Sequence, residues 1–471
     1  MNITFMRLTT GPLLLGLIFS LPIFAQAPDL QPFRRDDPTG PAPPVPGTEQ
    51  PEVQARGPVH EGYAMPSDGV ARPGLLAPKA PPEAIAETPP DEKPEGDGVL
   101  WMPGYWMWDE DRTDFLWVSG FWRIAPPGRK WVPGYWSRGD DGFRWVPGLW
   151  VSTDAEELRY GEAPPVPLDI GPSQPAPDDS SCYVPGIWIY RERWLWRPGF
   201  WVPCRPDWVY CPPRWCWTPR GYLFCSGYWD RPLCGRGILF APVYFGRCRP
   251  VTWCPQFVVG VGPLMGSLWI RPGCGYAFGD YYDTVYVRRG FTALVTYGNR
   301  HYDPLFVHYH RTNPRWAAGL RTIHDNRLTN VASRPPRTLL AQDRTKSVTM
   351  IERLDRHRPE TLKLTRLDST ERNQRERMTA DLARSAATRQ LTETRKTTAV
   401  LSTRDIPAPR VTTPAPKLPM LTPPPTTTPP VGVGPRVTPP NSVGGSTAPK
   451  SPTPSGTPRN LTTPSTPRPK G

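Results

Sequence analysis

A six-residue motif recurs along the middle of the chain and limits the folds that the chain can adopt. It reads aromatic, any residue, Pro or Ser, Gly, an apolar or aromatic residue, and Trp. Its clear copies occupy residues 101–106, 117–122, 131–136, 145–150, 183–188 and 196–201, and weaker copies occupy 224–229 and 240–245. The first four copies start 16, 14 and 14 residues apart, and the last two clear copies start 13 apart. Such regular self-similarity indicates repeated supersecondary units.

The Pro-Gly pair at the centre of the motif favours a tight turn, because Pro fixes φ and Gly accepts positive φ. If this turn closes a hairpin, Trp131 faces Trp136 and Val132 faces Tyr135 across it. However, L-Pro-Gly prefers type II turns, which splay two-residue hairpins. The alternative is a bend at which the chain passes between two packed sheets. The pattern therefore predicts a mainly β fold, a tryptophan-rich meander of hairpin repeats with one aromatic face.

Composition restricts the folded part to the middle of the chain. Pro and Gly, at 68 and 41 of 471 residues, make up about a quarter of the chain, and only 38% of the residues are hydrophobic. One core spanning the whole length is therefore not expected, whereas 20 Trp exclude a wholly disordered chain. We predict a disordered Pro-rich acidic arm (26–98), a Trp-rich repeat domain (99–254, Cys-rich from 182), a β-rich closing region with a short helix (255–338), an Arg-rich, weakly helical segment (339–402) and a disordered Pro/Thr-rich basic tail (403–471).

Charge is distributed unevenly between the two ends of the chain. Residues 28–98 hold 13 acidic and 6 basic side chains, whereas residues 339–471 hold 22 basic and 10 acidic ones. Blocks of like charge are usually solvated linkers, and we expect that here. Attraction between the arm and the tail, or to oppositely charged surfaces, is the alternative.

Local patterns assign elements to the closing region and to the Arg-rich segment. Residues 257–259, 284–287 and 291–297 have the β-branched and aromatic composition of strands. Asn313 followed by Pro314 predicts the start of a short helix that runs through Ile323. Further along, Met378, Leu382 and Ala386 recur at helical spacing and form a thin apolar stripe.

The N-terminus has the features of an export signal. Arg7 supplies a positive charge, an apolar run extends from Pro12 to near Phe24, and small residues follow at Ala25 and Ala27. The run is shorter than the roughly 20 residues of a membrane span. We predict a signal peptide over residues 1–25, an exported mature chain without a transmembrane span, and a retained anchor as the alternative.

The cysteine pattern agrees with export. The nine cysteines are Cys182, Cys204, Cys211, Cys216, Cys225, Cys234, Cys248, Cys254 and Cys274. None lies in a CxxC pair, so a zinc site or a thioredoxin-like motif is not supported. In an exported chain, irregular spacing predicts disulfides. The odd number predicts that one thiol is free or forms an intermolecular disulfide.

The motif copies, such as Trp131-Val-Pro-Gly-Tyr-Trp136, resemble those of the WXXGXW (YXWGXW) repeat family of exported bacterial proteins. The downstream fragments 278–283, 302–306, 313–316 and 334–339 are similar to a block in larger members. The second copy departs from the pattern with Ser119 in place of Pro. The resemblance implies export and a β-rich repeat. The family has no established reaction, so no catalytic residue is implied.

The tryptophans are the candidate functional residues. Trp and Tyr on an exposed face bind sugars by stacking, but a small repeat also needs aromatic side chains for its core. The candidates for sugar stacking or for core packing are Trp106, Trp122, Trp136, Trp150, Trp188 and Trp201. We expect core packing, with ligand stacking as the alternative.

Two polar clusters resemble sites of other classes. His301, His308 and His310 with Asp303 would form a metal site if the residues shared a strand face, and Asp280 with Asp283 would form an acid/base or calcium pair. Spacing alone is weak, and we predict packing and a turn, with no metal and no cofactor. Phosphate-binding and nucleophile motifs are absent from the sequence, and the arginines lie largely outside the repeats, which argues against nucleic acid.

These patterns together predict an exported, non-catalytic structural or interaction scaffold of the cell envelope. It would be located in the periplasm, the envelope or the extracellular space. Its partner is an envelope protein or polysaccharide that the sequence does not identify. The alternative is a glycan-binding module that uses exposed Trp and Tyr faces to bind cell-wall or extracellular polysaccharide.

Overall fold

The structure, a computed structural model, describes residues 51–395, except 68, 97, 169–170 and 248, together with 412–414. The predicted signal peptide (1–25), residues 26–50 of the arm, and the tail except 412–414 lie outside the described residues. Within these limits the fold is mainly β, as predicted, with many hairpins.

The strands that precede the repeats are short. They are β1 (Glu52–Val53), β2 (Gly57–Pro58), β3 (Leu76–Ala77), β4 (Ala86–Glu87) and β5 (Glu92–Pro94).

Four units of four strands each follow: successive pairs of motif copies build the first three, and the fourth combines the weak copy at 224–229 with a bend at Pro212-Pro213. The first unit comprises β6 (Val99–Met102), β7 (Tyr105–Asp109), β8 (Asp114–Val118) and β9 (Phe121–Ile124), and the second comprises β10 (Arg129–Val132), β11 (Tyr135–Gly139), β12 (Gly142–Val146) and β13 (Leu149–Ser152). After β14 (Glu157–Gly161), the third unit comprises β15 (Ser181–Val184), β16 (Ile187–Arg191), β17 (Arg193–Arg197) and β18 (Phe200–Pro203), and the fourth comprises β19 (Val209–Cys211), β20 (Arg214–Thr218), β21 (Gly221–Cys225) and β22 (Tyr228–Asp230).

The remaining elements belong to the closing region and the C-terminal segment. In chain order they are β23 (Gly237–Ile238), β24 (Val243–Tyr244), β25 (Thr252–Trp253), β26 (Phe257–Val259), α1 (Val261–Met265), β27 (Leu268–Arg271), β28 (Gly275–Phe278), α2 (Thr284–Arg288), β29 (Thr292–Ala293), α3 (Leu294–Gly298), α4 (Pro304–Thr312), α5 (Pro314–Thr329), α6 (Leu339–Thr345), β30 (Ile351–Arg353), β31 (Leu364–Arg366), α7 (Ser369–Thr394) and β32 (Thr412–Pro414). Short 3₁₀ turns cover Leu233–Gly235, Val331–Ser333 and Leu354–Arg356.

The Pro-Gly pair of each motif is a bend between two ladders, not the turn of a hairpin. In the second unit, Trp131 lies opposite Trp150 on β13, and Trp136 lies opposite Trp145 on β12. The prediction that Trp131 faces Trp136 is therefore wrong, and the alternative of a bend is confirmed. The hairpin closes at the other end, where Gly139 pairs with Gly142. The twist of a type II Pro-Gly turn is unsuited to a two-residue hairpin, which agrees with this placement.

Every unit has an inner hairpin and an outer ladder. The inner hairpins are β7–β8, β11–β12, β16–β17 and β20–β21, and the outer ladders are β6–β9, β10–β13, β15–β18 and β19–β22. Each holds a cross-strand aromatic pair, such as Trp136 with Trp145, whose ring centroids are 5.5 Å apart. Such pairs add to the stability of antiparallel ladders. The weak copy at 224–229 supplies the second bend of the fourth unit.

The four units form two similar pairs. The indole of Trp136 in the second unit donates to the carbonyl of Trp106 in the first, over 2.8 Å. The indole of Trp215 in the fourth unit donates to the carbonyl of Trp188 in the third, over 2.9 Å. The same arrangement of two units therefore occurs twice along the chain.

The described part of the predicted disordered arm is packed into the fold. Ala55, Glu61 and Tyr63 are buried, and β1 to β5 each pair with a strand from elsewhere in the chain. Arm residue Asp91 accepts a hydrogen bond from Arg372 of α7 over 2.5 Å. This is one contact between the acidic arm and the basic C-terminal part of the chain, of the kind that the alternative expectation describes. For residues 51–98 the disorder prediction is corrected: composition indicates disorder, but the backbone of this segment pairs with open strand edges.

The closing region is more helical than its composition predicts. Strand 257–259 is confirmed as β26, but residues 284–287 lie in α2, and of 291–297 only Thr292 and Ala293 are strand, followed by α3. Packing overrides β propensity here, because α2 buries Tyr286, whose hydroxyl contacts the Arg56 guanidinium. The predicted start of α5 is confirmed: the Asn313 side chain accepts the amide N–H of Arg315.

The C-terminal segment contains one long helix, as its apolar spacing predicts. A capping box formed by Asp368 and Glu371 begins α7. Met378 and Leu382 are buried, and so is the ion pair of Arg389 with Glu393, 2.8 Å apart. No helix within the described part of the chain is long and apolar enough to cross a membrane.

The bends leave no room for a side chain at their glycines. A Cβ added to Gly134 would lie 2.7 Å from the carbonyl oxygen of Val146 and 2.6 Å from the Trp145 ring. We expect Gly134→Ala to lower the free energy of unfolding by about 1–3 kcal/mol, the usual cost of overpacking. Urea denaturation followed by tryptophan fluorescence measures this.

The matched control is Gly319→Ala in α5, where an added Cβ meets no atom within 4 Å. Ala is the better helix former, so this variant should gain about 0.5–1 kcal/mol. Equal effects of the two substitutions would contradict the tight bend.

Candidate interaction surface

A buried carboxylate from the arm bridges the two bends of the first unit. Glu87 Oε2 accepts the amide N–H groups of Gly104 and Gly120, over 2.9 and 2.8 Å. Its Oε1 accepts the indole N–H of Trp117 over 3.0 Å. The bends run side by side, so their inward amides have no strand partner, and one side chain satisfies both.

The second unit repeats this arrangement with a different arm residue. Glu61 Oε1 accepts the amide N–H of Gly148 over 2.8 Å, and Oε2 accepts the indole of Trp145 over 3.0 Å. Arg389 of α7 binds the same bends, donating to the carbonyls of Pro133 and Pro147, each over 2.9 Å. The carbonyls of both bends and the amide of one are thus satisfied in the second unit by segments outside the motif.

Burial changes the protonation of both carboxyl groups. It raises the pKa of Glu61 and of Glu87 to about 7, against the opposing effect of the N–H donors. Both side chains are enclosed and fully engaged with the fold, so we assign them a structural role.

Replacing the bridging carboxylate by an amide removes one acceptor. We expect Glu87→Gln to lower the free energy of unfolding by about 1–3 kcal/mol, because its NH₂ group must face an N–H donor. Glu83→Gln is the control, since the Glu83 side chain is exposed four residues away. Chemical denaturation of both variants measures the difference, and equal stability would contradict the bridge.

The raised pKa values also predict a pH dependence. Between pH 4.5 and about 7 the folded state holds protons on Glu61 and Glu87 that the unfolded chain has released. Stability contributed by these groups is therefore full below pH 4.5, falls as pH rises, and is constant above about 7. The urea concentration at the midpoint of unfolding of the wild type should therefore decrease as the pH rises through that range. The double variant Glu61→Gln, Glu87→Gln should lack it, and parallel profiles would contradict the prediction.

Four of the six candidate tryptophans are buried in the first two units. They are Trp106, Trp122, Trp136 and Trp150. The indole of Trp106 donates to the carbonyl of Glu83 over 2.9 Å, and that of Trp150 donates to the carbonyl of Gly62 over 3.3 Å. These rings form the core, and they do not present a face to a ligand.

The other two candidates, Trp188 and Trp201, are only half-buried in the third unit. Their indoles donate to the carbonyls of Val166 and Gln174, which belong to an exposed Pro-rich connector. The neighbouring Phe200 is 42% exposed. We define the third-unit aromatic face as the side chains on one side of its inner hairpin, Trp188, Tyr190, Trp194 and Trp196. The equivalent residues of the first unit, Trp106, Trp108, Phe115 and Trp117, are all buried.

The third-unit aromatic face has a basic margin. Arg191 and Arg193 are exposed at the tip of the hairpin, on either side of Glu192. Arg197 is half-buried, and its guanidinium lies 5.3 Å from the ring centroid of Phe200. Within the described residues, these three arginines form no ion pair. Aromatic rings therefore lie beside positive charges on this surface, a combination that is complementary to anionic groups.

Among the described cysteines, one of the predicted disulfides is formed. Cys182 and Cys204 are joined and tie β15 to the end of β18. Thiols remain at Cys211, Cys216, Cys225, Cys234 and Cys254. Cys274 lies between β27 and β28, and Cys248 lies outside the described residues.

A second cysteine pair is close enough to oxidise. Cys216 and Cys225 are buried on the paired strands β20 and β21, with their Sγ atoms 3.3 Å apart. The hydrogen bond from Cys225, together with Arg214, lowers the pKa of Cys216 and favours the reactive thiolate. We expect an exported preparation to contain a Cys216–Cys225 disulfide. Peptide mass mapping under non-reducing conditions tests this, with Cys182–Cys204 as the internal standard and two alkylated thiols as the contradicting result.

The histidines do not share a strand face. His308 and His310 lie on helix α4, where His308 is buried and His310 is exposed, and Asp303 caps the helix. Asp303 also accepts from the Tyr276 hydroxyl over 2.5 Å. Among the residues that the structure describes, no group of three or more His, Cys, Asp or Glu is placed to hold a metal.

The acidic pair Asp280 and Asp283 forms ion pairs within the fold. Arg337 donates to Asp280 over 2.7 Å and to Asp283 over 2.9 Å, and Arg334 donates to Asp283 over 2.6 Å. The pair ties the segment before α2 to the chain that follows α5, within the closing region.

The sequence pattern missed the residues on which the bends depend. Glu61 and Glu87 stand in a Pro-rich acidic segment, where their carboxylates resemble those of a solvated linker. The only available signal is that each bend amide needs an acceptor, and this requirement does not say which residue supplies it.

Comparison with known proteins identifies the repeat. The model of the WXXGXW repeat matches residues 96–123, 131–151 and 205–230, which cover the bends of the first, second and fourth units. The resemblance to this repeat family is thus confirmed for the repeat region. The third unit lies outside the matched segments, although its strands pair in the same way. No curated protein and no solved structure matches the chain.

Proposed function

We propose that the protein is an exported, non-catalytic structural or interaction scaffold of the cell envelope. The observation that carries this is the burial of all eight motif tryptophans in the first two units. Their rings pair with one another and several of their indoles bond to the backbone, so these aromatic side chains are used for folding.

Two further observations support export and scaffolding. A disulfide between Cys182 and Cys204 suits an oxidising compartment. Segments outside the motif also reinforce each of the first two units, through Glu87 in the first and through Glu61 and Arg389 in the second, which suits a structural role.

A second candidate, glycan binding, is favoured by the third unit alone. Trp188 and Trp201 are half-buried, and Phe200 exposes two-fifths of its surface. Rings in this state can stack on the apolar faces of sugar rings. The binding site would then be this one unit and not the whole repeat.

Tryptophan fluorescence of the full mature chain, titrated with acrylamide and then with envelope polysaccharides, separates the two functions. The scaffold predicts blue-shifted emission that resists quenching and does not respond to polysaccharide. A polysaccharide response that is lost in Trp201→Ala, but kept in the exposed α7 control Leu391→Ala, would contradict it and assign glycan binding. Export is tested separately, by fractionating cells and determining the N-terminus of the mature chain.

A further inference from the structure

Three of the four inner hairpins have their second strand covered by a strand from elsewhere in the chain. In the first unit β8 pairs with β24, in the second β12 pairs with β3, and in the fourth β21 pairs with β14. The added strands come from the arm, from the connector after the second unit and from the segment after the fourth. Closure of this edge is thus a regular feature of the unit.

The third unit is the exception. Within the part of the chain that the structure describes, β17 pairs only with β16. Residues 193–197 form no backbone hydrogen bond to any described residue outside this hairpin. An edge strand with open N–H and C=O groups is a template for another strand.

Among the described residues, the third unit also lacks the aromatic cover that accompanies this closure in the first unit. There, Phe245 directly follows the added strand β24, and its ring lies against Trp106, with centroids 6.2 Å apart. Trp188 occupies the corresponding position of the third unit. Its ring contacts Trp196 of its own hairpin and remains half-buried. A strand added to β17 would cover both the open edge and this ring.

We propose that the β17 edge binds an extended, acidic segment of a partner protein by β-strand addition. The inference rests on the proposed scaffold function and names the partner class at one of its surfaces. Side chains alternate along β17, so Arg193, Leu195 and Arg197 lie on one face and Trp194 and Trp196 on the other. In a complementary strand, the residues beside Arg193, Leu195 and Arg197 are therefore acidic, aliphatic and acidic, and the residues beside Trp194 and Trp196 are aromatic.

Charge argues against a second copy of the chain as the occupant. Antiparallel pairing of two β17 strands would place Arg193 of one copy opposite Arg197 of the other, and like charges directly opposite are destabilising. The exposed Arg191 adds to this repulsion. The same three charges attract an acidic strand, whose apolar residues would also cover Leu195, now 39% exposed.

The test uses the purified full mature chain and a synthetic peptide, acetyl-Gly-Glu-Phe-Val-Tyr-Glu-Gly-amide, with binding measured by calorimetry and tryptophan emission. Two control peptides are matched to it: one has Lys in place of both Glu, and the other is N-methylated at Phe and Tyr, whose backbone N–H groups would otherwise donate to β17. We expect the acidic peptide to bind and both controls to bind at least about tenfold more weakly.

Charge reversal on the protein locates the site. Arg193→Glu should weaken binding of the acidic peptide by about tenfold. Arg138→Glu, an exposed arginine near the tip of the covered second-unit hairpin, should leave it unchanged. Because both side chains are exposed, both variants should fold, and unchanged far-ultraviolet circular dichroism checks this.

Several results would overturn the inference. They are equal binding of the acidic and Lys peptides, equal binding of the N-methylated peptide, and indifference of binding to Arg193→Glu. Sedimentation that shows self-association of the wild type, strengthened by Arg193→Glu, would assign the edge to a second copy instead. Failure of the purified chain to bind the acidic peptide would also overturn the inference, but it would leave the scaffold proposal standing. Absence of export in the fractionation would contradict the scaffold proposal without affecting the peptide result.

Discussion

The bridge from one buried carboxylate to two neighbouring bends is the interaction on which the first unit depends, and the second unit holds one bend amide in the same way. Each of these two units sets two Pro-Gly or Ser-Gly bends side by side, and inward-facing amides at these bends have no strand to pair with. Glu87 satisfies both Gly104 and Gly120 in the first unit, and Glu61 holds Gly148 in the second. A buried amide without an acceptor costs a large part of a domain's net stability. The motif is therefore incomplete by itself and requires a segment from outside it.

This requirement explains why the arm belongs to the folded body. The arm that supplies the two glutamates also supplies strands that close open edges, among them β3 beside β12. Helix α7 acts from the opposite side, where Arg389 binds the carbonyls of two bends and Glu393 accepts from the hydroxyls of Tyr135 and Tyr160. Proline limits the ability of the arm to form continuous sheet, but short paired stretches and single side chains are sufficient for both tasks.

The same motif has different consequences in different units, because exposure depends on what covers it. Trp136 and Trp188 occupy equivalent motif positions, yet the first is in the core and the second is half-buried. In the first unit, β24 and Phe245 extend the sheet and cover its rings. The third unit has no strand beyond β17 in the described chain. Core and binding surface thus follow from the neighbours of the motif, and its sequence does not distinguish them.

The sequence by itself determined what depends on near neighbours. The repeat, the β character of the middle, the Asn313 cap of α5 and the apolar stripe of α7 all follow from residues a few positions apart, because turns, caps and strand alternation are local. Tertiary structure alone decided that Trp131 pairs with Trp150, that residues 284–288 form a helix, and that Glu61 meets Gly148. These outcomes depend on burial and on hydrogen-bond acceptors that lie far along the chain. A buried amide without a strand partner requires an acceptor, but only the packed fold determines which residue provides it.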